Sequence, residues 1–167
     1  PWNREGVNAM LIGEEGFIWQ RTPYTGQGMS SSRRTAKLTL TEDGELEGTL
    51  RFEYYGQEAI TRRGSNFRSS QAHNEETVKD EIKARISTAE VSDITVENMN
   101  DDSKALTYTC KIKVPGYAQR TGKRLFVQPG VFEYGSKNVF SASARSYGIY
   151  FSFPWSEHDY VEIQLPK

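Results

Sequence analysis

The chain is poor in the residues that usually carry metal or thiol chemistry. Among its 167 residues it has a single cysteine, Cys110, and two histidines, His73 and His158. One cysteine forms no internal disulfide and builds no thiolate zinc cluster. Without a second cysteine or a His-rich spacing, the two histidines make a poor metal site. The sequence therefore predicts no metal site and no other cofactor.

A surplus of one charge sign is also missing. The chain has 21 Lys and Arg against 22 Asp and Glu. A nucleic-acid-binding domain usually carries a basic surplus, because phosphate contacts dominate its affinity. We therefore expect no nucleic-acid partner. The basic stretch of Arg62, Arg63 and Arg68 is interpreted as a solvated helix face.

Long apolar runs are absent as well. No run approaches the length that spans a membrane, so we expect no membrane span. The first residues lack the charged-then-apolar layout of a signal peptide, and any export signal is expected upstream of Pro1.

Aromatic residues, in contrast, are plentiful: nine Tyr, eight Phe and three Trp. Apolar and polar residues alternate over 36–40 and again over 46–54, and a turn signal at 42–44 separates the two runs. This pattern predicts a β-hairpin with one buried and one solvated face. A further alternation over 106–114, which Pro115 ends, predicts another strand.

The end of the chain and its middle give weaker signals. Alternation over 147–153 and 161–165 predicts two closing strands with a loop at 156–159. Residues 57–68 are moderately helical in character. A second helix is predicted over 75–87, capped by Asn74, with an apolar stripe formed by Val78, Ile82 and Ile86.

Short strands separated by frequent turns predict a mainly β fold. We expect an Ig-like antiparallel β-sandwich with one or two inserted helices. Two short strands are predicted at the start of the chain, over 9–12 and 17–19. The Thr-, Pro-, Gly- and Ser-rich stretch that follows predicts a linker over 24–32. This linker would separate residues 1–23 from a domain over 33–167.

No residue is predicted to be catalytic. Cys110 falls on the apolar side of its alternating strand, so we interpret it as a core residue rather than a reactive thiol. A nucleophilic set of Cys110, His158 and Asp159 is disfavoured, because adjacent His and Asp residues can hardly orient one another. The Asn- and Asp-rich stretch 98–102 could offer oxygen ligands to calcium, but it matches no calcium-loop spacing, so we predict a turn there.

Exposed aromatic side chains are a candidate binding feature. Tyr55, Tyr117 and Trp155 are candidates for stacking on a sugar, since aromatic rings offer an apolar face. The alternative, which we favour, is that such rings fill the two faces of a covered sheet.

The order of several short motifs resembles a known arrangement. Three motifs precede the predicted hairpin: Gly6–Leu11 (GVNAML), Trp19 and Thr22-Pro23. Later motifs are Val114–Ala118 (VPGYA) and, at the end of the chain, Val161–Pro166 (VEIQLP). Together they resemble the C-terminal region of bacterial multidomain proteins built around a transglutaminase-like core. In that family one β-sandwich of unknown function precedes the core and a second follows it.

The resemblance implies an accessory role. Residues 1–23 would be the end of the transglutaminase-like unit or the bridge out of it, residues 33–167 the C-terminal sandwich, and Pro1 a cut site inside a longer chain. The family's Cys, His and Asp chemistry lies upstream, so we expect this chain not to be an enzyme. The parent protein is expected to be exported, to the periplasm or the cell exterior.

We therefore expect a non-catalytic accessory or interaction domain whose partner is the upstream transglutaminase- or protease-like core. Its candidate interface residues are Trp2, Phe17 and Trp19, bulky side chains within the opening segment. If they meet a core that is absent here, they should form an exposed apolar patch. The alternative is a carbohydrate-binding β-sandwich module, which would show two or more coplanar exposed aromatic rings. A protein or glycan ligand is thus left open.

Overall fold

The computed structural model describes residues 5–66, 69–136 and 140–167. Strands predominate along these ranges, and two helices lie between the fourth and fifth strands. The strands are β1 (Asn8–Gly13), β2 (Gly16–Arg21), β3 (Ser31–Leu40), β4 (Leu46–Tyr55), β5 (Glu90–Glu97), β6 (Leu106–Val114), β7 (Gln119–Thr121), β8 (Arg124–Phe126) and β9 (Ser156–Gln164), and the helices are α1 (Gly56–Asn66) and α2 (Gln71–Arg85).

Five strands form the central sheet in the order β5–β6–β4–β3–β9. The pairs β3–β4, β4–β6 and β5–β6 are antiparallel, whereas β9 runs parallel to β3, so the sheet is mixed. Parallel strands need a long crossover, and residues 41–155 lie between these two. The mainly β class with inserted helices is confirmed and is consistent with a β-sandwich. The finer Ig-like arrangement stays a prediction.

The predicted hairpin over 36–54 is present as β3 and β4. Its turn closes where the Gly44 amide donates to the Thr41 carbonyl over 3.1 Å. Gly44 has a φ of +82°, and a Cβ on it would come within 2.6 Å of the Ala118 carbonyl oxygen. Glycine is therefore required here both for the left-handed backbone and for the close approach of residue 118.

One face of the sheet is buried and the other is wet. On the buried face, α1, α2 and the segment 117–134 cover a core that includes Leu38, Leu50, Leu106, Ile112 and Val114. Each such side chain stabilises the fold by about 1.5–3 kcal/mol. The opposite face carries exposed polar residues such as Lys37, Thr39, Glu47, Thr49 and Lys111. The apolar positions of each alternating run thus lie on the buried face, and the polar positions lie on the solvated face.

Both helices begin earlier than the sequence predicts. The first extends over Gly56–Asn66 instead of 57–68, and the second over Gln71–Arg85 instead of 75–87. The N-cap of α2 is Ser70, whose Oγ accepts a hydrogen bond from the His73 amide over 3.2 Å. The prediction of Asn74 as the cap is wrong, because Ser70 satisfies the first turn and leaves Asn74 buried inside the helix.

The basic stretch is not a solvated face. Arg63 is buried, at 8% exposure. Its guanidinium donates to three backbone carbonyls, those of Asn98, Asp101 and Lys104. The prediction is wrong for this residue because its planar guanidinium donates hydrogen bonds to several carbonyl groups of the turn at once. The stretch 98–102 does form the predicted turn, while Arg68 lies outside the described residues.

The end of the chain differs from its prediction. Residues 147–153 form no strand, although they alternate. The predicted loop at 156–159 is instead the first part of β9. These polar residues become extended because they pair with β3, where Asp159 lies opposite Arg34.

The opening of the chain forms its own two-stranded sheet from β1 and β2, which contain the two strands predicted over 9–12 and 17–19. In the predicted linker, residues 27–29 form a 3-10 turn. β3 begins at Ser31, so that the last two linker residues belong to the domain.

Candidate functional site

The hairpin formed by β1 and β2 exposes all of its large apolar side chains. Met10 lies opposite Trp19, Leu11 opposite Ile18, and Ile12 opposite Phe17. These six side chains are between 48 and 73% exposed. Because successive strand residues point to opposite faces, the hairpin presents apolar groups on both of its faces.

Two of the three predicted interface residues lie on one face of this hairpin. Phe17 is 61% exposed and Trp19 is 68% exposed. They share that face with Met10 and Ile12, since cross-strand partners point the same way. Trp2, the third predicted residue, lies outside the described residues. We call the set Met10, Ile12, Phe17 and Trp19 the hairpin patch.

The base of the hairpin is tied to the rest of the protein. The buried carboxylate of Glu5 accepts hydrogen bonds from the Thr25 amide over 3.0 Å and from the Gln57 side chain over 3.1 Å. The hydrogen bond from the Thr25 amide is the main cause of the lowered pKa of Glu5. Gln57 belongs to α1, so this network joins the hairpin base to the helical layer.

Tyr24 connects the hairpin base to a second apolar region. Its ring packs on Gly6 and occupies the place that a Cβ would take, and the φ of +62° at this residue also favours glycine. Tyr24 also lines a shallow open groove of about 450 Å³. The remaining groove residues come from one irregular segment: Ile149, Tyr150, Phe151, Phe153, Pro154 and Trp155.

The three predicted stacking residues do not form one platform. Tyr55 is half-buried, and the guanidinium of Arg33 covers its ring at 5.0 Å. Tyr117 is only 9% exposed and donates from its hydroxyl to the Gln128 carbonyl over 2.6 Å. Its proposed role as an exposed platform is wrong, because its ring belongs to the core. Trp155 is exposed and lies in the groove.

The rings around Trp155 meet edge to face. Its plane is inclined by 68° to Phe151 and by 72° to Phe153. A sugar ring stacks on a flat aromatic surface, so neighbouring platforms are expected to be nearly coplanar. Trp155 is thus not coplanar with Phe151 or Phe153, which speaks against a stacking platform formed by these rings.

A cavity of about 140 Å³ lies between the sheet and the helices. Leu50, Phe52 and Tyr108 line it from the sheet, and Val78 and Ile82 line it from α2. Phe132 closes one side and meets Phe52 edge to face, with ring centroids 5.5 Å apart. Apolar side chains thus form part of the cavity wall, and polar and charged side chains form the rest.

Charged residues surround this cavity. Arg34 donates to Asp159 over 2.6 and 2.8 Å and to Glu133 over 2.7 Å. Burial lowers the pKa of Arg34, but the hydrogen bonds to these carboxylates raise it more, so the guanidinium stays charged. Arg62 donates to both carboxylate oxygens of Glu81, at 2.9 and 3.1 Å.

The third guanidinium of the cavity, that of Arg85, is also engaged. It donates to the Phe132 carbonyl over 2.7 Å and to the Ser136 hydroxyl over 3.0 Å. In contrast, no residue in the described ranges donates a hydrogen bond to Glu58. Burial raises the pKa of Glu58, and the nearby charge of Glu157 raises it further while Arg62 lowers it.

The cavity was not predicted from the sequence, although a signal for it was present. Arg34 occupies a core-facing position of β3, in phase with Ala36 and Leu38. Asp159 likewise occupies the phase of Val161 in β9. Charged residues in the apolar phase of a strand are unusual because they must be paired when buried. They mark the place where two distant strands share a polar site.

The structure offers no support for the nucleophilic set. Cys110 is 1% exposed, which confirms it as a core residue, and burial raises the pKa of its thiol to about 12. His158 and Asp159 point to opposite faces of β9 because they are neighbours in a strand. Asp159 is also bound to Arg34. Within the described ranges, no group of three His, Cys, Asp or Glu side chains converges as metal ligands do.

Neither helix among residues 5–66, 69–136 and 140–167 has the length and apolar character needed to cross a membrane. Comparison of the chain with protein families, with curated proteins and with solved structures finds no match.

Proposed function

We propose that this chain is a non-catalytic accessory or interaction domain attached to an exported bacterial transglutaminase- or protease-like core. The hairpin of β1 and β2 is its docking element. The observation that carries the proposal is the exposure of large apolar side chains on both faces of this hairpin.

A two-stranded hairpin is at best marginally stable in water without a covering layer. Burying a large apolar side chain is worth about 1.5–3 kcal/mol. Covering the hairpin patch would therefore supply a strong driving force for association. Contiguous exposed apolar surface of this kind usually marks an interaction site.

The occupant that we propose is the transglutaminase-like core of the same chain. The family resemblance places residues 1–23 at the junction with that core, and the hairpin lies within this segment. The anchored base at Glu5 supports the same role, since it fixes the hairpin relative to α1 and so fixes the angle at which a partner would dock. The periplasmic or extracellular location rests on the resemblance.

Two experiments test this proposal. The coding sequence upstream of Pro1 should contain an export signal and a core with separated Cys, His and Asp motifs. In the complete gene product, p-benzoylphenylalanine at position 17 should photo-crosslink to that core. The same amino acid at position 147, where the native tyrosine is 88% exposed, serves as the matched control and should give no crosslink to the core.

The proposal fails if crosslinks from position 17 map only within residues 5–167 or onto unrelated molecules. The carbohydrate alternative has weaker support, because Trp155 is not coplanar with its neighbours Phe151 and Phe153. Tryptophan fluorescence that saturates with a cell-wall glycan, and that is lost in Trp155→Phe, would favour that alternative.

A further inference from the structure

The central sheet has an open edge that is separate from the hairpin patch. This edge is β9, the last strand of the sheet, and no described strand pairs with its outer side. We propose that it pairs with the same edge of a second copy of the chain, in an antiparallel arrangement centred on Tyr160. The inference rests on the unpaired backbone groups of β9, on its regularity and on the register in which it is complementary to itself.

The outer side of β9 carries a row of unpaired backbone groups. The Ser156 amide donates to the Ser30 carbonyl over 3.0 Å, so residue 156 directs its backbone groups toward the neighbouring β3. Because backbone groups alternate between the two sides of a strand, every second residue directs its amide and carbonyl outward. These residues are Glu157, Asp159, Val161 and Ile163. No hydrogen bond within the described part of the chain reaches their backbone groups, so the edge is a template for another strand.

The opposite edge of the sheet is protected against strand addition, whereas β9 is not. β5 pairs with β6 with a register shift between Ser92 and Thr95, and Asp93 lies there at a φ of +50°. A bulge of this kind disrupts the row of backbone groups that a further strand needs. β9 instead keeps an uninterrupted register with β3 over nine residue pairs and contains no Pro, Gly or Lys. β9 is therefore the edge that a further strand can extend.

One register uses all of the outward backbone groups of two β9 strands. In an antiparallel pair centred on Tyr160, Glu157 lies opposite Ile163 of the second copy. Asp159 likewise lies opposite Val161. Every outward-facing residue of both strands is then part of a hydrogen-bonded pair. A register shifted along the strand would leave outward-facing groups at its ends unpaired.

The side chains on the solvated face of the sheet match in the same register. His158 lies opposite Glu162 of the second copy, twice across the two-fold axis, and Tyr160 lies opposite its own counterpart. These are non-hydrogen-bonded pairs, in which opposed side chains approach most closely. An imidazole N–H can donate to a carboxylate, and two tyrosine rings bury apolar surface against each other. Tyr160 is 59% exposed in the single chain, so its ring is accessible to a second copy.

The acidic residues of β9 do not oppose one another in this register. Asp159 is bound by Arg34 of its own chain and therefore enters the interface already paired. Centring the pair on Asp159 or on Glu162 would instead place two carboxylates directly opposite each other, which is destabilising. A two-fold symmetric pair uses the same surface on both copies. The complementarity of β9 to itself therefore indicates a second copy as the partner.

Disulfide trapping tests the register. In Tyr160→Cys the two opposed Cα atoms would lie about 4.5 Å apart, a distance that a disulfide can bridge. The matched control is Gln164→Cys, on the same strand and face, because its two copies would lie about 26 Å apart in this register. Cys110 is buried and does not compete. Mild oxidation should give a covalent dimer of Tyr160→Cys at least about tenfold faster than of Gln164→Cys.

Charge exchange tests the side-chain pairing by sedimentation equilibrium. An edge pair buries little surface, so we expect a weak dimer. His158→Glu places two glutamates opposite each other and should weaken it by about tenfold. The neighbouring residue of β3 is Arg33, which favours a glutamate at this position within each copy. Adding Glu162→His to this variant reverses each pair and should restore the dimer of the unmodified chain.

Trp19→Ser is the control for association through the hairpin patch, and it should dimerise like the unmodified chain. A chain that stays monomeric up to about 1 mM would overturn the proposal. Equal trapping at positions 160 and 164, a double variant no tighter than His158→Glu alone, or loss of the dimer in Trp19→Ser would each overturn it as well.

Discussion

The central sheet and the β1–β2 hairpin contain similar apolar side chains, but the sheet buries them and the hairpin exposes them. In β3, Ala36, Leu38 and Leu40 are at most 4% exposed. In β1, Leu11 is 59% exposed and Ile12 is 73% exposed. Apolar character alone therefore does not decide burial.

The difference lies in the pattern of the residues. β3 alternates apolar with polar residues, as expected for a strand with one buried face and one wet face. Residues 10–12 and 17–19 are instead continuous apolar runs. Such runs are typical of strands covered on both faces. The hairpin thus has the sequence of a fully covered element, and the present structure shows it uncovered.

Truncation of one leucine in each region should give the largest difference. Leu106→Ala removes a fully buried side chain from the central sheet and should cost about 2–5 kcal/mol in the free energy of unfolding. Leu11→Ala in the hairpin should change it by no more than about 0.5 kcal/mol. Urea denaturation of the chain measures both. A comparable loss in the two variants would contradict the account.

The rate of thiol labelling should show that the interior of the central sheet is closed to solvent in the native state. Cys110 is buried, and its pKa is raised to about 12 by that burial. We expect the native thiol to react with a maleimide at least about 100-fold more slowly than the thiol in urea, because labelling requires opening of the sheet. Equal rates in the two states would instead revive a reactive role for Cys110.

Disruption of the Arg34 network should have an intermediate effect. Arg34→Ala leaves Asp159 and Glu133 without their shared partner and should cost about 1–3 kcal/mol. Arg51→Ala is the matched control, because its pair with Glu53 lies on the exposed side of the sheet. The control should lose at most about 1 kcal/mol. Thermal unfolding of both variants tests whether the polar cluster between β3 and β9 stabilises the domain.

The smallest effect is expected at a surface turn of the sheet region. Hydrogen bonds from Ser103 and Lys104 lower the pKa of Asp101 from 3.8 to about 2. A lowered pKa means that the ionised form stabilises the folded state. This contribution is fully present well above the unfolded pKa of 3.8 and is lost as the pH falls through the folded pKa of about 2. Asp101→Asn should therefore be slightly less stable than the unmodified chain at pH 7, and this difference in the free energy of unfolding should shrink as the pH is lowered to 2.

The elements whose determinants are local could be predicted from the sequence. The alternation around Leu38 and Leu50 gives β3 and β4, and the stripe of Val78 and Ile82 gives the buried side of α2. Prediction failed where distant residues decide the structure. The polar start of β9 becomes a strand only because β3 pairs with it, with Arg34 opposite Asp159.

The candidate sites show the same division. The bulky apolar residues of the opening segment predict an interface at Phe17 and Trp19 from the sequence alone. The cavity as a whole could not be predicted, because its lining comes from β3, β4, β6, β9, α1, α2 and residues 131–132, which meet only in the folded chain. The burial of Tyr117 could not be predicted either, because it depends on how the segment 117–134 packs on the sheet.

Amide hydrogen exchange of the hairpin tests the central claim most directly. We would compare the amides of Leu11 and Ile18 in this chain alone and in the complete gene product. The docking account predicts fast exchange in the isolated chain and at least about tenfold slower exchange in the complete protein, with little change in the already protected β6. Equally fast exchange of the hairpin amides in both proteins would contradict it.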